Sequence, residues 1–244
     1  MSSTASSRIF VSLLALAGFG SLAGCTLGTG AGQLIHRDDF SAGLGQWHIE
    51  AEKPAAVTTV NGVLDIDSPA GITLWFKPKL TGPVRIEFEA IAVSEGGPND
   101  QVSDLNVFWM ASNADGTEPV FARPRSGRFA EYNDLLTYYA GLGGNRNSTS
   151  RFRRYVGDPV HRPLLPEHDL TSVDALLVPN RKQKIILTAN RHTIVYKRDG
   201  QTLFRLADPR PYEAGWFAIR STWSHLRIDN LRVYAIDTRT SATN

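Results

Sequence analysis

A chain of 244 residues with 26 Lys and Arg against 24 Asp and Glu carries a formal net charge of +2. That near-neutrality excludes the broad basic field that nucleic-acid binding requires. The single cysteine, Cys25, excludes an internal disulfide scaffold, so stability must come from a buried core, which a chain of this length can supply.

The first 24 residues read as a targeting segment. Arg8 precedes an apolar stretch from Ile9 to Leu22, too short to span a bilayer comfortably. Leu22-Ala23-Gly24-Cys25 then resembles a bacterial lipobox, with cleavage before a cysteine that receives lipid. Thr26 after the cysteine, rather than Asp, resembles the outer-membrane sorting pattern of Gram-negative lipoproteins. The expected organisation is a signal peptide over 1–24, a short tether over 25–34, one domain over 35–237 and a polar tail over 238–244. Attachment to the membrane is expected through lipid alone, and the protein is expected to be a monomer.

Through the domain the signals are strands and tight turns. Asp38-Asp39-Phe40 leads into a strand at Trp47-His48-Ile49-Glu50. Val57–Val60 and Val63–Ile66 flank Asn61-Gly62, a strong hairpin signal. A strand over Gly71–Phe76 is expected to stop at Pro78. Val84, Ile86, Phe88 and Ala90 alternate with Arg85, Glu87 and Glu89, the period of a half-buried strand. Asp104–Met110 repeats the pattern, with Leu105, Val107 and Trp109 on one face and Asp104, Asn106 and Phe108 on the other. Phe129–Leu136 suggests a short helical turn. Tyr138–Tyr155 reads as strand, glycine-rich loop, strand, which places Arg151, Arg153 and Tyr155 on one face. Asn190-Arg191 and Asp199-Gly200 mark further turns, and Trp216–Arg220 and His225–Ile236 are expected as two closing strands. Many strands with almost no helical periodicity point to an all-β sandwich of two antiparallel sheets.

Three stretches carry a resemblance. They are Asp39-Phe40 with Trp47-His48-Ile49-Glu50, the hairpin Lys197-Arg198-Asp199-Gly200-Gln201, and Gly215–Arg220 followed by Leu226–Tyr234. Together they resemble the concanavalin-like lectin/glucanase jelly roll, the fold of laminin-G-like sugar-binding modules, YesU-like proteins and several polysaccharide lyases. Ser103–Trp109 and Tyr138–Tyr155 resemble a narrower group of bacterial exported proteins. The resemblance implies a concave sheet that holds an extended carbohydrate.

Three activities compete. The first is β-elimination on an acidic, uronic-acid glycan, which needs a base, an acid and neutralisation of the sugar carboxylate. Tyr139, Tyr155, His168 and Arg151 are its catalytic candidates. Asn106, Asp104, Asn145, Asn147, Arg153, Arg220 and Trp223 are its binding candidates, with Trp223 the best stacking surface. The second is sugar binding without chemistry, which needs the same face without a base. The third is glycoside hydrolysis, which requires paired carboxylates. Glucanases of this fold resemble Glu-x-Asp-x-Glu, whereas here Arg85-Ile86-Glu87-Phe88-Glu89 is followed by Ile91 at the third acidic position. Histidine spacing indicates no catalytic metal, and no cofactor is expected. Asn113-Ala114-Asp115-Gly116 and Asp38-Asp39 are the two places where oxygen ligands for a structural calcium lie close in sequence.

Overall fold

The computed structural model describes Met1 and residues 32–236, and the expected lipobox with Cys25 and the polar tail lie outside them. Among the described residues thirteen strands run in chain order: β1 (Gln33–Asp38), β2 (Trp47–Ala51), β3 (Ala56–Val60), β4 (Val63–Thr81), β5 (Val84–Ala92), β6 (Leu105–Asn113), β7 (Leu135–Gly143), β8 (Thr149–Val156), β9 (Asp169–Leu170), β10 (Gln183–Asn190), β11 (Thr193–Arg198), β12 (Gln201–Ala207) and β13 (Ala214–Ala235).

Two of them, β4 with 19 residues and β13 with 22, are long enough to run through both layers of a sandwich. The first half of β13 pairs with the second half of β4, Ile219 opposite Leu74, and with β6, Ile219 opposite Val107. Its second half pairs with the first half of β4, Leu226 opposite Ile66, and with β5, Val233 opposite Ile86. One continuous antiparallel sheet therefore folds into a front layer, β2-β4-β13-β6-β7-β8-β9, and a back layer, β3-β4-β13-β5-β10-β11-β12, with β1 on the end of β13. The apolar faces meet between the layers. Phe88 of the back layer lies 5.9 Å from Phe217 of the front, and Phe152 lies 5.9 Å from Phe204.

The local turns follow from residues that tolerate positive φ. Asn61-Gly62 and Asp199-Gly200 take φ of 52°, 76°, 50° and 84°, closing their hairpins. Two expected breaks are absent. Pro78 does not end its strand, because the register shifts between Gly215 and Phe217 and leaves Pro78 in a bulge that asks no ladder donor of it. The two expected closing strands are one, bent at a second register shift between Thr222 and Ser224. The helical turn near Phe129 is a single 3-10 turn, Phe129–Tyr132, and strand resumes at Leu135.

The outer face of the front layer is not a bare polar face. Residues 114–134 cross it as a flap. Val120, Phe121, Phe129 and Tyr132 pack on Trp75, Phe108, Tyr139, Tyr155 and Trp216, forming a second apolar cluster. Beneath the flap the Glu50 carboxylate accepts Tyr132 Oη at 2.6 Å and Trp75 Nε1 at 2.9 Å, and burial pushes its pKa up against those bonds.

The loop 94–104 is clamped at the bend of β13. Ser224 Oγ donates to the carbonyls of Gln101 and Ser103, and His225 sits between Asp100 and Asp65 at 2.8 and 2.9 Å. Burial raises the Asp100 pKa, but the N–H groups of Glu95 and Gly97 and the His225 ring outweigh it and hold the carboxyl at about 2. A folded-state pKa below the unfolded 3.8 stabilises the fold fully above roughly pH 4, and that contribution is lost as the pH falls through about 2. Asp100→Asn is therefore expected to lower Tm at pH 7, with the gap to wild type narrowing between pH 4 and 2. A gap independent of pH would contradict this role.

Candidate active site

The strand registers bring the site together. Thr73, Arg220, Asn106, Gly141 and Arg151 lie in one transverse row across β4, β13, β6, β7 and β8. The adjoining row runs through Trp75, Ala218, Phe108, Tyr139 and Arg153. Where these rows emerge from under the flap there is an open depression of about 470 Å³. Tyr139 and Gly141 form its floor; Asp104, Asn145, Arg151, Arg153 and Trp223 line it.

Gly141 is required by close approach. A Cβ there would lie 2.5 Å from Tyr139 Oη and 3.0 Å from Asn106 Oδ1, so the glycine leaves the gap in which both oxygens sit. Asn106, only 3% exposed, donates to Asp104 Oδ1 at 3.1 Å, while its own buried Oδ1 has no partner among the described residues. Asp104 adopts φ of 57° just ahead of β6 and also accepts Ser103 Oγ. Burial pushes its pKa up, opposed by Ser103, Asn106 and Arg220. Burial also drives the Tyr139 phenol well above its ordinary value, helped by Tyr155 and Asp104 and opposed by Arg220 and Arg153. Tyr139 therefore presents a protonated hydroxyl at neutral pH.

The charge of the lining is lopsided. It holds four arginines, Arg146, Arg151, Arg153 and Arg162, and one carboxylate, Asp104. Among the described residues only Arg151 of the four is ion-paired, through a two-pronged contact with Asp169 at 2.8 and 3.2 Å. Arg153 donates to the carbonyl of Arg162, and Arg162 donates to Asn133 at 3.0 Å and to Tyr155 Oη at 3.4 Å. Burial lowers the Arg153 pKa, with Tyr155 opposing and Arg162 and Arg151 adding to the effect. An anionic ligand would relieve that repulsion.

Several expected site residues stand elsewhere. His168 is buried edge-on against Phe152 at 4.8 Å and near Phe204, with a ring nitrogen 3.1 Å from the Arg205 carbonyl, so it belongs to the interlayer core. Tyr155 is fully buried in the apolar cluster under the flap, beside Tyr139 with ring centres 5.5 Å apart. Asn147 points away and holds the Leu177 N–H and carbonyl. Arg220, 2% exposed, bonds Thr73 Oγ1 and the Gly127 carbonyl, both at 2.9 Å, and lies against Phe129 and Tyr132. It anchors the flap beside the pocket and does not line it. Arg162 and Phe129 are lining residues that sequence reasoning passed over, since neither sits on a strand; Thr149, which opens β8 in phase with Arg151 and Arg153, was passed over as well.

The carboxylates weighed for hydrolysis are engaged elsewhere. On the outside of the back layer, Glu87 meets Arg85 and Lys184, and Glu89 meets Lys182. Two further carboxylates are engaged as well: Asp65 holds His225 and Arg227, and Asp67 accepts from Asn99. At the two calcium candidates, Asp38 accepts Phe40 N–H and Trp47 Nε1, and Asn113 serves Thr117, Val120 and Arg125. Among the described residues no three His, Cys, Asp or Glu side chains converge as a metal site.

Residues 66–231 match the family described as Domain of unknown function (DUF6250). The chain belongs to this family. No curated protein matches it in sequence. In fold, this DUF6250 protein is similar to a protein of unknown function with a galectin-like fold from Bacillus subtilis. That match has a TM-score of 0.66 at 13% identity, over 85% of this chain and 98% of that one. It is also similar to the carbohydrate binding module CBM66 from Bacillus subtilis, at 0.52 and 10%, over 78% and 96% of the two chains. The endo-beta-1,3-glucanase from Pyrococcus furiosus matches at 0.53 and 11%, over 84% and 94%. At these identities the likeness is one of fold, and it makes the DUF6250 sandwich a concanavalin-like jelly roll.

Proposed function

We propose that the depression binds an acidic carbohydrate and that the protein is a polysaccharide lyase that cleaves a uronic-acid glycan by β-elimination. The observation that carries this reading is the lining itself: a protonated phenol and a single carboxylate among four arginines. Glycoside hydrolysis by the usual route needs two carboxyl groups across the scissile bond, and this lining offers one. Elimination needs positive charge on the sugar carboxylate, a base and an acid, and the pocket holds all three. In this scheme Arg151 and Arg153 neutralise the uronate and so acidify the C5 proton. Asp104, whose raised pKa makes it a better base, takes that proton. The electron pair forms the C4–C5 double bond, the C4–O bond breaks, and Tyr139 gives its proton to the leaving oxygen. Solvent returns the Asp104 proton to Tyr139.

A non-catalytic sugar-binding role is favoured by one observation, the 8% exposure of Tyr139, which leaves little of the proposed acid accessible. The likeness to a carbohydrate-binding module and to a glucanase supports the carbohydrate part of either reading. The kinship with YesU-like exported proteins and the lipid anchor belong to the same proposal: Cys25 carries lipid and holds the domain at the outer membrane, facing polysaccharide.

Two experiments test it. Incubation with uronate polymers is expected to raise the ultraviolet absorbance of the unsaturated product, and Tyr139→Phe to lower kcat by about 100-fold or more while binding stays within a few-fold. Clear binding with no product from any uronate would leave only the binding role. For the anchor, radiolabelled palmitate is expected in the native protein and not in Cys25→Ser. Unlabelled native protein would contradict lipidation.

A further inference from the structure

Resting on the acidic-carbohydrate reading, we infer that the pocket takes the reducing end of a glycan chain, with the terminal uronate against Arg151 and Arg153 and the next sugar, joined through the uronate's C4 oxygen, laid on Trp223 beside Arg146. Two features deny a chain free passage across the front layer. The flap already occupies the face over Trp75, Phe108 and Trp216. On the β8 side the segment around Arg162 is tied to the flap: Arg162 bonds Asn133 at 3.0 Å and lies over Phe129 at 5.8 Å, while Arg153 holds its carbonyl.

The β13 side carries a different surface. Trp223 is 42% exposed, with φ of 43°, a backbone state that a bulky residue adopts only under constraint. The constraint is visible: the register shift between Thr222 and Ser224 places Trp223 at the bend, and Ser224 Oγ is fixed by the carbonyls of Gln101 and Ser103. Facing it, Asn145, Arg146 and Asn147 form a left-handed turn with φ of 53°, 58° and 59°. Asn147 is pinned to Leu177 at both its oxygen and its nitrogen. The turn holds the Arg146 guanidinium 5.9 Å from the Trp223 ring centre, and among the described residues Arg146 meets no carboxylate. Two strained backbones thus converge to expose one indole and one uncompensated cation at the pocket mouth. The indole offers a flat apolar surface to the C–H face of a sugar, and the guanidinium offers a fork to its carboxylate.

Calorimetric titration with galacturonate, mannuronate and glucuronate series of one to six units tests this. Affinity is expected to rise once, between one unit and two, and then to level. Trp223→Ala should abolish that rise, a loss of about tenfold for the disaccharide. Shortening a polymer at constant mass should increase the protein it binds, because ends multiply. Affinity that climbs through six units, or a step that survives Trp223→Ala, would overturn end recognition while leaving acidic-carbohydrate binding intact. Absence of binding to every uronate would overturn the underlying reading and this inference with it.

Discussion

The pairing of β4 with β13 through both layers is the constraint on which the rest depends. Neither strand can belong wholly to one layer, so each must bend where the layers part, and in β13 the bend falls between Thr222 and Ser224. Apolar residues on either side, Phe217 and Ile219 before it and Leu226 and Ile228 after it, are buried in the same interlayer core. Each such side chain contributes roughly 1.5–3 kcal/mol by leaving water, so relaxing the bend would forfeit several of them at once. The strained φ of Trp223 and the clamp on the 94–104 loop are consequences of that geometry. The loop delivers Ser103 and Asp104 to the pocket.

The second determinant is how the front layer disposes of charge. Arg220 and Glu50 are buried under the flap, where isolated ions would be costly. Each is held by hydrogen bonds to neutral groups: Thr73 and Gly127 for the guanidinium, Tyr132 and Trp75 for the carboxylate. The flap is thereby fixed to the sheet by polar anchors inside an apolar cluster. Its edge, at Phe129, defines where the open depression begins. The Arg220 charge buried under the flap opposes the upward shifts of Asp104 and Tyr139, so the flap anchor is also electrostatically part of the site.

Much of the fold was legible because strands announce themselves locally. Alternation in Val84–Ala90, the Asn61-Gly62 and Asp199-Gly200 turns and the closing stretch after Gly215 each specify structure within a few residues. The parts that were hidden depend on register between distant strands. Pro78 continues a strand only because Trp216 faces a bulge. The same alternation that put Arg151 and Arg153 on the pocket face put Tyr155 there too, but Tyr155 lies farther along, within the apolar cluster under the flap. His168 stood among the catalytic candidates, and packing between Phe152 and Phe204 buries it. Arg162 carried no signal, since an extended segment without periodicity does not reveal which face it crosses.

The central claim is that the arginine-rich depression beside the flap, and no other surface, receives an acidic sugar. The most direct measurement is the structure of the protein crystallised with a uronate disaccharide. The account predicts a sugar carboxylate within hydrogen-bond distance of Arg151 or Arg153 and a second ring stacked on Trp223. A disaccharide seated elsewhere, on the outer face of the back layer for example, would contradict it.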